Sequence, residues 1–282
     1  MFSEDLFDAF LETALREDIG DGDHSSLACI PASSKGVVRL LVKDDGIIAG
    51  MEIARRIFNR IDPELKFDPL VMDGDRVRNG DIAFIIDGSV LSILKSERLI
   101  LNVMQRMSGI ATLTRAYVRK LEGLKTRILD TRKTVPGMRI LDKEAVRIGG
   151  GMNHRMGLYD MIMLKDNHID FAGGIAKAIA RIHEYLDRKG KDLKIEIEAR
   201  SLHDVREILD AGGVDRIMLD NFSIPNTRRA VELINGRYET ESSGRITLNN
   251  IREYAECGVD FISIGALTHQ VPSLDLSLKA IS

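Results

Sequence analysis

Cationic side chains fall in short groups along this sequence: Arg98, the pair Arg132 and Lys133, the pair His154 and Arg155, and Lys165. A guanidinium fork grips a carboxylate through two parallel hydrogen bonds, and an ammonium meets phosphate as a point charge. Taken singly, each of these residues is an ordinary surface charge. The formal net charge is −3, so the chain carries no general basic field. Cations gathered on one face of such a protein make a local anion pocket, and nucleic acid and anionic membrane are not expected as partners.

Acidic residues form a second group. Glu196 and Glu198 share one strand-like run and Asp220 ends the next. Positions two apart on a strand point to the same side. Glu198 and Asp220 together suit a divalent cation and sugar hydroxyls, or positive charge developing on carbon. Glu196 fits a salt bridge to a neighbouring base as well as it fits a direct role. A third group is small: Ser242, Ser243 and Gly244 after one strand, Gly265 and Ala266 after the next. Small residues let backbone N–H groups approach a phosphate. The run Gly149-Gly150-Gly151 supplies a bend that presents His154 and Arg155. No serine or cysteine has a convincing base beside it, which argues against covalent enzyme catalysis.

These groups need a frame. The chain has 282 residues and 44% hydrophobic content, enough for one large domain or two ordinary ones. No apolar run is long enough to cross a bilayer. The opening segment is acidic and amphipathic, unlike a signal peptide, and Cys29 and Cys257 lie in no metal-like or redox spacing, so a reducing, cytoplasmic setting is expected. A helix fits Ser3–Arg16, with Leu6, Phe7, Phe10 and Leu11 on one side. Strand-like runs follow at Val37–Val42, Gly46–Ala49, Ile82–Ile86 and Val90–Leu94. Asp-Gly at 45–46, 73–74 and 87–88 and Asn-Gly at 79–80 read as turns. A long helix is expected from Ser96 to Leu121, with Gly109 as a weak point.

From there strands and helices alternate. The runs Arg127–Asp130, Asp160–Leu164, Lys194–Glu198, Arg216–Leu219, Tyr238–Glu241 and Asp260–Ile264 read as strands, the last four about 22 residues apart. Helical periodicity marks Leu202–Ala211, Asn226–Ile234 and Leu248–Cys257 between them. The pattern predicts an α/β fold with a parallel barrel. Every one of these strands ends in the polar groups named above, and the carboxyl ends of barrel strands converge on one face where active sites are assembled.

The same residues carry a resemblance. Glu97-Arg98, Leu101-Asn102, Gln105-Arg106 and Ser108-Gly109-Ile110-Ala111-Thr112 resemble a helix of the quinolinate phosphoribosyltransferases. Asp130-Thr131-Arg132-Lys133-Thr134-Val135-Pro136-Gly137 is similar to that family's most telling motif. Gly149-Gly150-Gly151-Met152-Asn153-His154-Arg155, Leu164-Lys165-Asp166-Asn167-His168, Leu219-Asp220-Asn221-Phe222 and Gly265-Ala266-Leu267-Thr268-His269 follow in the same order. Glu17–Ser26 is similar to the family's N-terminal loop, read here as a turn and a helix start.

The resemblance implies an N-terminal α+β sandwich over 1–109, joined by 267–282, and an incomplete TIM-like α/β barrel over 110–266. It implies decarboxylating transfer of a phosphoribosyl group to quinolinate, giving nicotinate mononucleotide for NAD biosynthesis, with magnesium carried by phosphoribosyl pyrophosphate and no organic cofactor. Arg98, Arg132, His154, Arg155 and Lys165 would bind the two carboxylates, and Lys133 would sit near the ribose and pyrophosphate. Glu198 and Asp220 would face ribose and magnesium, while Ser243, Gly244 and Gly265 would take the 5′-phosphate. Thr131, Ile264 and Ala266 would be flanking substrate contacts, and Arg245 would either add a phosphate contact or point to solvent. Arg98 would come from the partner in a homodimer. One departure stands out: Arg245 follows Gly244 where many members have a second glycine, which leaves the shape of that loop open. Two rival readings are a phosphoribosyltransferase for a monocarboxylate such as nicotinate, and a non-catalytic phosphosugar sensor. The full basic set opposes the first, and the acids oppose the second.

Overall fold

The computed structural model describes residues 4–281, so Ser3 and Ser282, at the ends of expected segments, lie outside it. The chain divides into two compact units. The first holds the residues up to Arg115, then Thr134–Gly150, then Ala266 onward. The second holds Ala116–Lys133 and Gly151–Gly265.

The first unit opens with α1 (Glu4–Ile19), α2 (His24–Cys29), β1 (Lys35–Val42), β2 (Gly46–Ile47), α3 (Met51–Ile61), β3 (Lys66–Pro69), β4 (Arg76–Val77), β5 (Ile82–Ser89) and α4 (Val90–Lys120), the last of which runs into the second unit. The Asp23 carboxylate accepts the Ser26 N–H at 3.1 Å and starts α2. On α1, Phe7 and Leu11 are buried but Leu6 is exposed, so the apolar stripe is narrower than expected. The α3 helix, not singled out by sequence, packs on the sheet through Phe58, which meets Phe84 edge-on at 5.7 Å.

Three expectations fail here. Val90–Leu94 is the first turn of α4, not a strand. Its β-branched residues read as extended, but Ser89 ends β5 and its hydroxyl accepts the Ser92 N–H at 3.4 Å, as an N-cap does. Asp87-Gly88 is not a turn either, since it lies within β5, where Gly88 pairs with Gly36. A Cβ on Gly88 would meet Leu65 Cδ2 at 2.7 Å, so close approach explains this glycine. Nor is Gly109 a break in α4. The helix passes through it, and a Cβ there would overlap the Pro272 carbonyl.

The second unit carries β6 (Arg127–Leu129); the chain then returns to the first unit as α5 (Arg139–Ile148). Next come β7 (Ile162–Leu164), α6 (Asp166–Ala172), α7 (Ile175–Lys189), β8 (Ile195–Ala199), α8 (Leu202–Ala211), β9 (Arg216–Asp220), α9 (Ile224–Ile234), β10 (Glu239–Ser243), α10 (Ile251–Ala255) and β11 (Phe261–Ser263). Back in the first unit, α11 (Ala266–His269) and β12 (Leu276–Ala280) close the chain. The α10 helix is shorter than Leu248–Cys257. One antiparallel sheet runs β12-β1-β5-β3 and one parallel sheet runs β6-β11-β10-β9-β8-β7. Since β6 and β7 are the edges of the parallel sheet, the barrel is incomplete.

Gly149, after α5, lies against α4: a Cβ there would stand 2.6 Å from Thr114 Cβ and 2.7 Å from the Ala111 carbonyl oxygen. Gly149→Ala should cost about 1–3 kcal/mol, the usual price of overpacking. A thermal melt checks this; an unchanged Tm would mean that the turn yields freely.

Candidate active site

In β8 and β9 two sets of side chains alternate: Ile195, Ile197, Ala199, Ile217 and Leu219 are buried and apolar, and between them stand Glu196, Glu198, Arg216, Met218 and Asp220, of which Glu196, Glu198 and Met218 are buried as well. The register sets these in layers: Glu196 beside Arg216 beside Glu239, then Glu198 beside Met218 beside Glu241, then Asp220 beside Ser243. One cavity of about 350 Å³ takes lining residues from the ends of all six strands. A flat sheet of that many strands would hold its edges some ~24 Å apart, at about 4.8 Å per strand. Thr131, Arg132 and Lys133 after β6 line the same cavity as Met163 and Lys165 from β7, so the sheet curls until its edges share a mouth.

Local structure fixes each side chain. Met152 bridges Leu129 in parallel, which carries the chain after the triple glycine alongside β6. The Asp130 carboxylate then accepts the His154 N–H at 2.8 Å, setting His154 and Arg155 at the cavity wall. The bend expected from Gly149–Gly151 is present, with Gly150 at φ 96°. Arg155 donates from Nη1 to the Met161 carbonyl at 3.0 Å. Burial, with Arg132 alongside, holds its pKa below the usual guanidinium value. Lys165 Nζ lies 3.0 Å from Glu198 Oε1, and the Asp166 N–H donates to Glu198 Oε2 at 3.4 Å. Asn221, at φ 54°, donates from Nδ2 to Asp220 Oδ2 at 2.8 Å.

The loop after β10 resolves the question raised by Arg245. Gly244 sits at φ 96°, where a Cβ would collide with the Asn221 side chain. Arg245 takes φ 56°, the left-handed region that a glycine enters without strain. Its carbonyl accepts from Asn250 Nδ2 at 3.3 Å and its side chain is exposed. The arginine therefore keeps a glycine-like backbone.

Of the residues expected at the site, Thr131, Arg132, Lys133, His154, Arg155, Lys165, Glu198, Asp220 and Ser243 line this cavity. Gly244 and Arg245 after β10, and Ile264 and Gly265 after β11, do not line it, nor does Ala266, which opens α11 in the first unit; Ile264 is buried. Arg98 belongs to the first unit, exposed on α4. Sequence reasoning missed Met163, Met218, Glu241 and Ser263 as lining residues. Strand alternation from Glu198 and Asp220 was the signal that could have found them.

Beneath His154 lies a buried charge cluster. His154 Nε2 is 2.9 Å from Glu196 Oε2 and 3.5 Å from Glu241 Oε2. Arg216 Nη1 is 3.0 Å from Glu241 Oε2 and 3.9 Å from Glu196 Oε2, and Arg216 Nη2 is 2.9 Å from Glu239 Oε2. Glu196 thus takes the salt-bridge role, one of the two roles left open for it. Burial works against charge on His154, yet the two carboxylates outweigh it and raise its pKa to about 9. The Arg155 N–H donates to His154 Nδ1 at 2.7 Å, which suits a neutral ring. One amide dipole is weaker than two buried carboxylates, and the two carboxylates favour the charged ring. Burial and the neighbouring Glu241 push Glu196 up to about 7. Burial also pushes on Glu241, but His154 and Arg216 hold it below the usual carboxylate value. Geometrically, His154, Glu196 and Glu241 could surround a metal ion. Arg216 already supplies the positive charge those carboxylates need.

A larger cavity of about 780 Å³ lies at the amino ends of the strands, lined by Arg127, Asp215, Glu239 and Phe261 among others. That end of a barrel serves stability rather than chemistry. A third, of about 610 Å³, lies within the first unit between α1 and the 135–138 turn.

Comparison with known proteins gives consistent matches. Residues 23–108 match the family model "Quinolinate phosphoribosyl transferase, N-terminal domain", and residues 110–279 match its C-terminal domain. The chain is 46% identical to quinolinate phosphoribosyltransferase [decarboxylating] 1 of Nicotiana glauca, covering 95% of this chain and 81% of that protein. It is 47% identical to the chloroplastic nicotinate-nucleotide pyrophosphorylase [carboxylating] of Arabidopsis thaliana, covering 96% of this chain and 82% of that one. Among solved structures, NadC from Streptococcus pyogenes superposes with a TM-score of 0.92 at 40% identity, covering 100% of this chain and 99% of that one.

Proposed function

The chain belongs to the quinolinate phosphoribosyltransferase family, and we infer that it converts quinolinate and phosphoribosyl pyrophosphate to nicotinate mononucleotide, pyrophosphate and carbon dioxide. The observation that carries this reading is one cavity in which Arg132, Lys133, His154, Arg155 and Lys165 face Glu198 and Asp220. Cations alone would suit any anion. Cations beside two carboxylates suit a substrate pair that brings negative groups and also develops positive charge.

In this reading Arg132, His154, Arg155 and Lys165 bind the two ring carboxylates, and Lys133 meets the pyrophosphate. Ser243, with the Gly244 and Gly265 loops, receives the 5′-phosphate. The pyridine nitrogen forms its bond to the anomeric carbon as the bond to pyrophosphate breaks, and that electron pair leaves with pyrophosphate. Glu198 and Asp220 stabilise the cation-like sugar and its hydroxyls. Magnesium carried by the pyrophosphate donor would lie near Glu198 and Asp220 and would supply charge neutralisation to the leaving oxygens. The electron pair of the adjacent carbon–carboxylate bond then stays on the ring carbon, stabilised by the neighbouring pyridinium charge, as carbon dioxide leaves, and that carbon takes up a proton.

The assembly we propose is a homodimer in which Arg98 serves the partner's site. A reducing compartment, the cytoplasm in our reading, suits Cys29 and Cys257, both free.

Turnover of quinolinate against nicotinate tests the assignment. Quinolinate should be favoured at least roughly a hundredfold in kcat/KM, since a desolvated cation left unpaired costs several kcal/mol. Equal use of the two acids would point to the monocarboxylate reading, and no turnover of either to a sensor.

A further inference from the structure

The cluster below the cavity is costly for stability alone. Glu196 and Glu241 are fully buried, and His154 and Arg216 lie almost as deep. Buried ion pairs often contribute no more stability than well-packed apolar side chains of the same volume, while a lone buried charge is strongly unfavourable. Four interlocked charged groups in the strand layers below a cavity therefore call for a reason beyond folding. Their order supplies one. His154 lines the cavity; Glu196 does not, but stands 2.9 Å behind its Nε2. Glu241 reaches both His154 and Arg216, and the Arg216 guanidinium is steadied over the Phe261 ring at 4.1 Å.

We propose that Glu196 is a positioning residue for the dicarboxylate substrate, anchoring His154 from behind as the site's charged wall, with Arg216 as the counter-charge that lets Glu196 and Glu241 share one buried space. This rests on the functional reading above. Among the buried groups two cations face two carboxylates, while Glu239, the third partner of Arg216, is largely exposed and screened by water. Removing the Glu196 charge leaves one positive charge in excess, and the group able to shed it is His154. The wall facing the substrate then loses its charge, although its shape is kept, because glutamine is isosteric and keeps an oxygen that can face Nε2. Removing the Arg216 charge as well restores the balance, and His154 keeps its proton.

The test uses Glu196→Gln and Glu196→Gln/Arg216→Met in the full-length protein, with melts to verify folding. Quinolinate KM should rise about tenfold in the single variant, and phosphoribosyl pyrophosphate KM should stay within about twofold, since only the carboxylate wall is altered. The double variant should recover most of the quinolinate KM, a non-additive response that a merely structural role would not give. An unchanged quinolinate KM in Glu196→Gln would overturn the proposal. So would an equal rise for both substrates, or a double variant no better than the single. Calorimetric binding of quinolinate gives the same comparison without turnover. A wild-type protein that binds quinolinate but turns nothing over would sink the functional reading and leave this test standing.

Discussion

Turnover should vanish in EDTA and return when magnesium is added. The cavity holds Lys133, which meets pyrophosphate in our reading, and Lys165, which is tied to Glu198 at 3.0 Å. Glu198, Asp220 and Glu241 also line the walls, and each repels a phosphate-rich donor. Such a donor needs an added cation between its oxygens and those acids. A divalent ion supplies several kcal/mol of charge stabilisation to a leaving pyrophosphate, so its removal should slow turnover by roughly a hundredfold or more. The ion travels with the donor, so the magnesium requirement should follow the phosphoribosyl pyrophosphate concentration. Quinolinate carries no phosphate, and its binding measured alone should not respond to EDTA. Full activity in metal-free buffer would remove magnesium from the mechanism.

The parallel sheet was legible because β-strands buried beneath helices keep their apolar positions regular. Ile195, Ile197, Ile217 and Leu219 announce β8 and β9, and the charges between them announce which face is occupied by chemistry. The first unit was harder to read. In Val90–Leu94 local composition favours a strand, but the Ser89 cap and the burial of Ile93 decide for a helix. Asp87-Gly88 has the composition of a turn, yet Leu65 packs against Gly88 within β5. In both places composition is outweighed, by a neighbouring cap and burial in the first and by a contact with Leu65, distant in the chain, in the second.

The site divides the same way. Lys133, Glu198 and Asp220 stand at strand ends, where position in the sequence translates directly into position at the mouth. Arg216 starts its strand, at the end away from the mouth, so nothing local marks it as part of the site. Only the pairing of β8, β9 and β10 brings its guanidinium beneath His154. Pairing register is a property of the folded sheet and is weakly written in any one strand. The charges nearest the substrate were therefore readable, and those that set their balance were not.

Subunit exchange gives the other large effect. Pure Arg98→Ala and pure Lys133→Ala should each be nearly inactive, the first for loss of a carboxylate clamp and the second for loss of the charge facing pyrophosphate. Arg98 is exposed on α4, and Lys133 lines the cavity. In a twofold dimer whose chains trade Arg98, each site joins Lys133 of one chain to Arg98 of the other. Mix the two variants and let the chains exchange. In a mixed dimer one site then has Lys133 from the Arg98→Ala chain and Arg98 from the Lys133→Ala chain, so it is whole, and the other site lacks both. Random exchange makes about half of the dimers mixed, each with one whole site of two, so activity should return to roughly a quarter of wild type. Exchange itself is verified separately, for example by mass-labelled chains. If exchange is complete and no activity returns, Arg98 acts within its own chain or the dimer is of another kind. A return near a quarter excludes both, because neither variant can assemble a whole site alone.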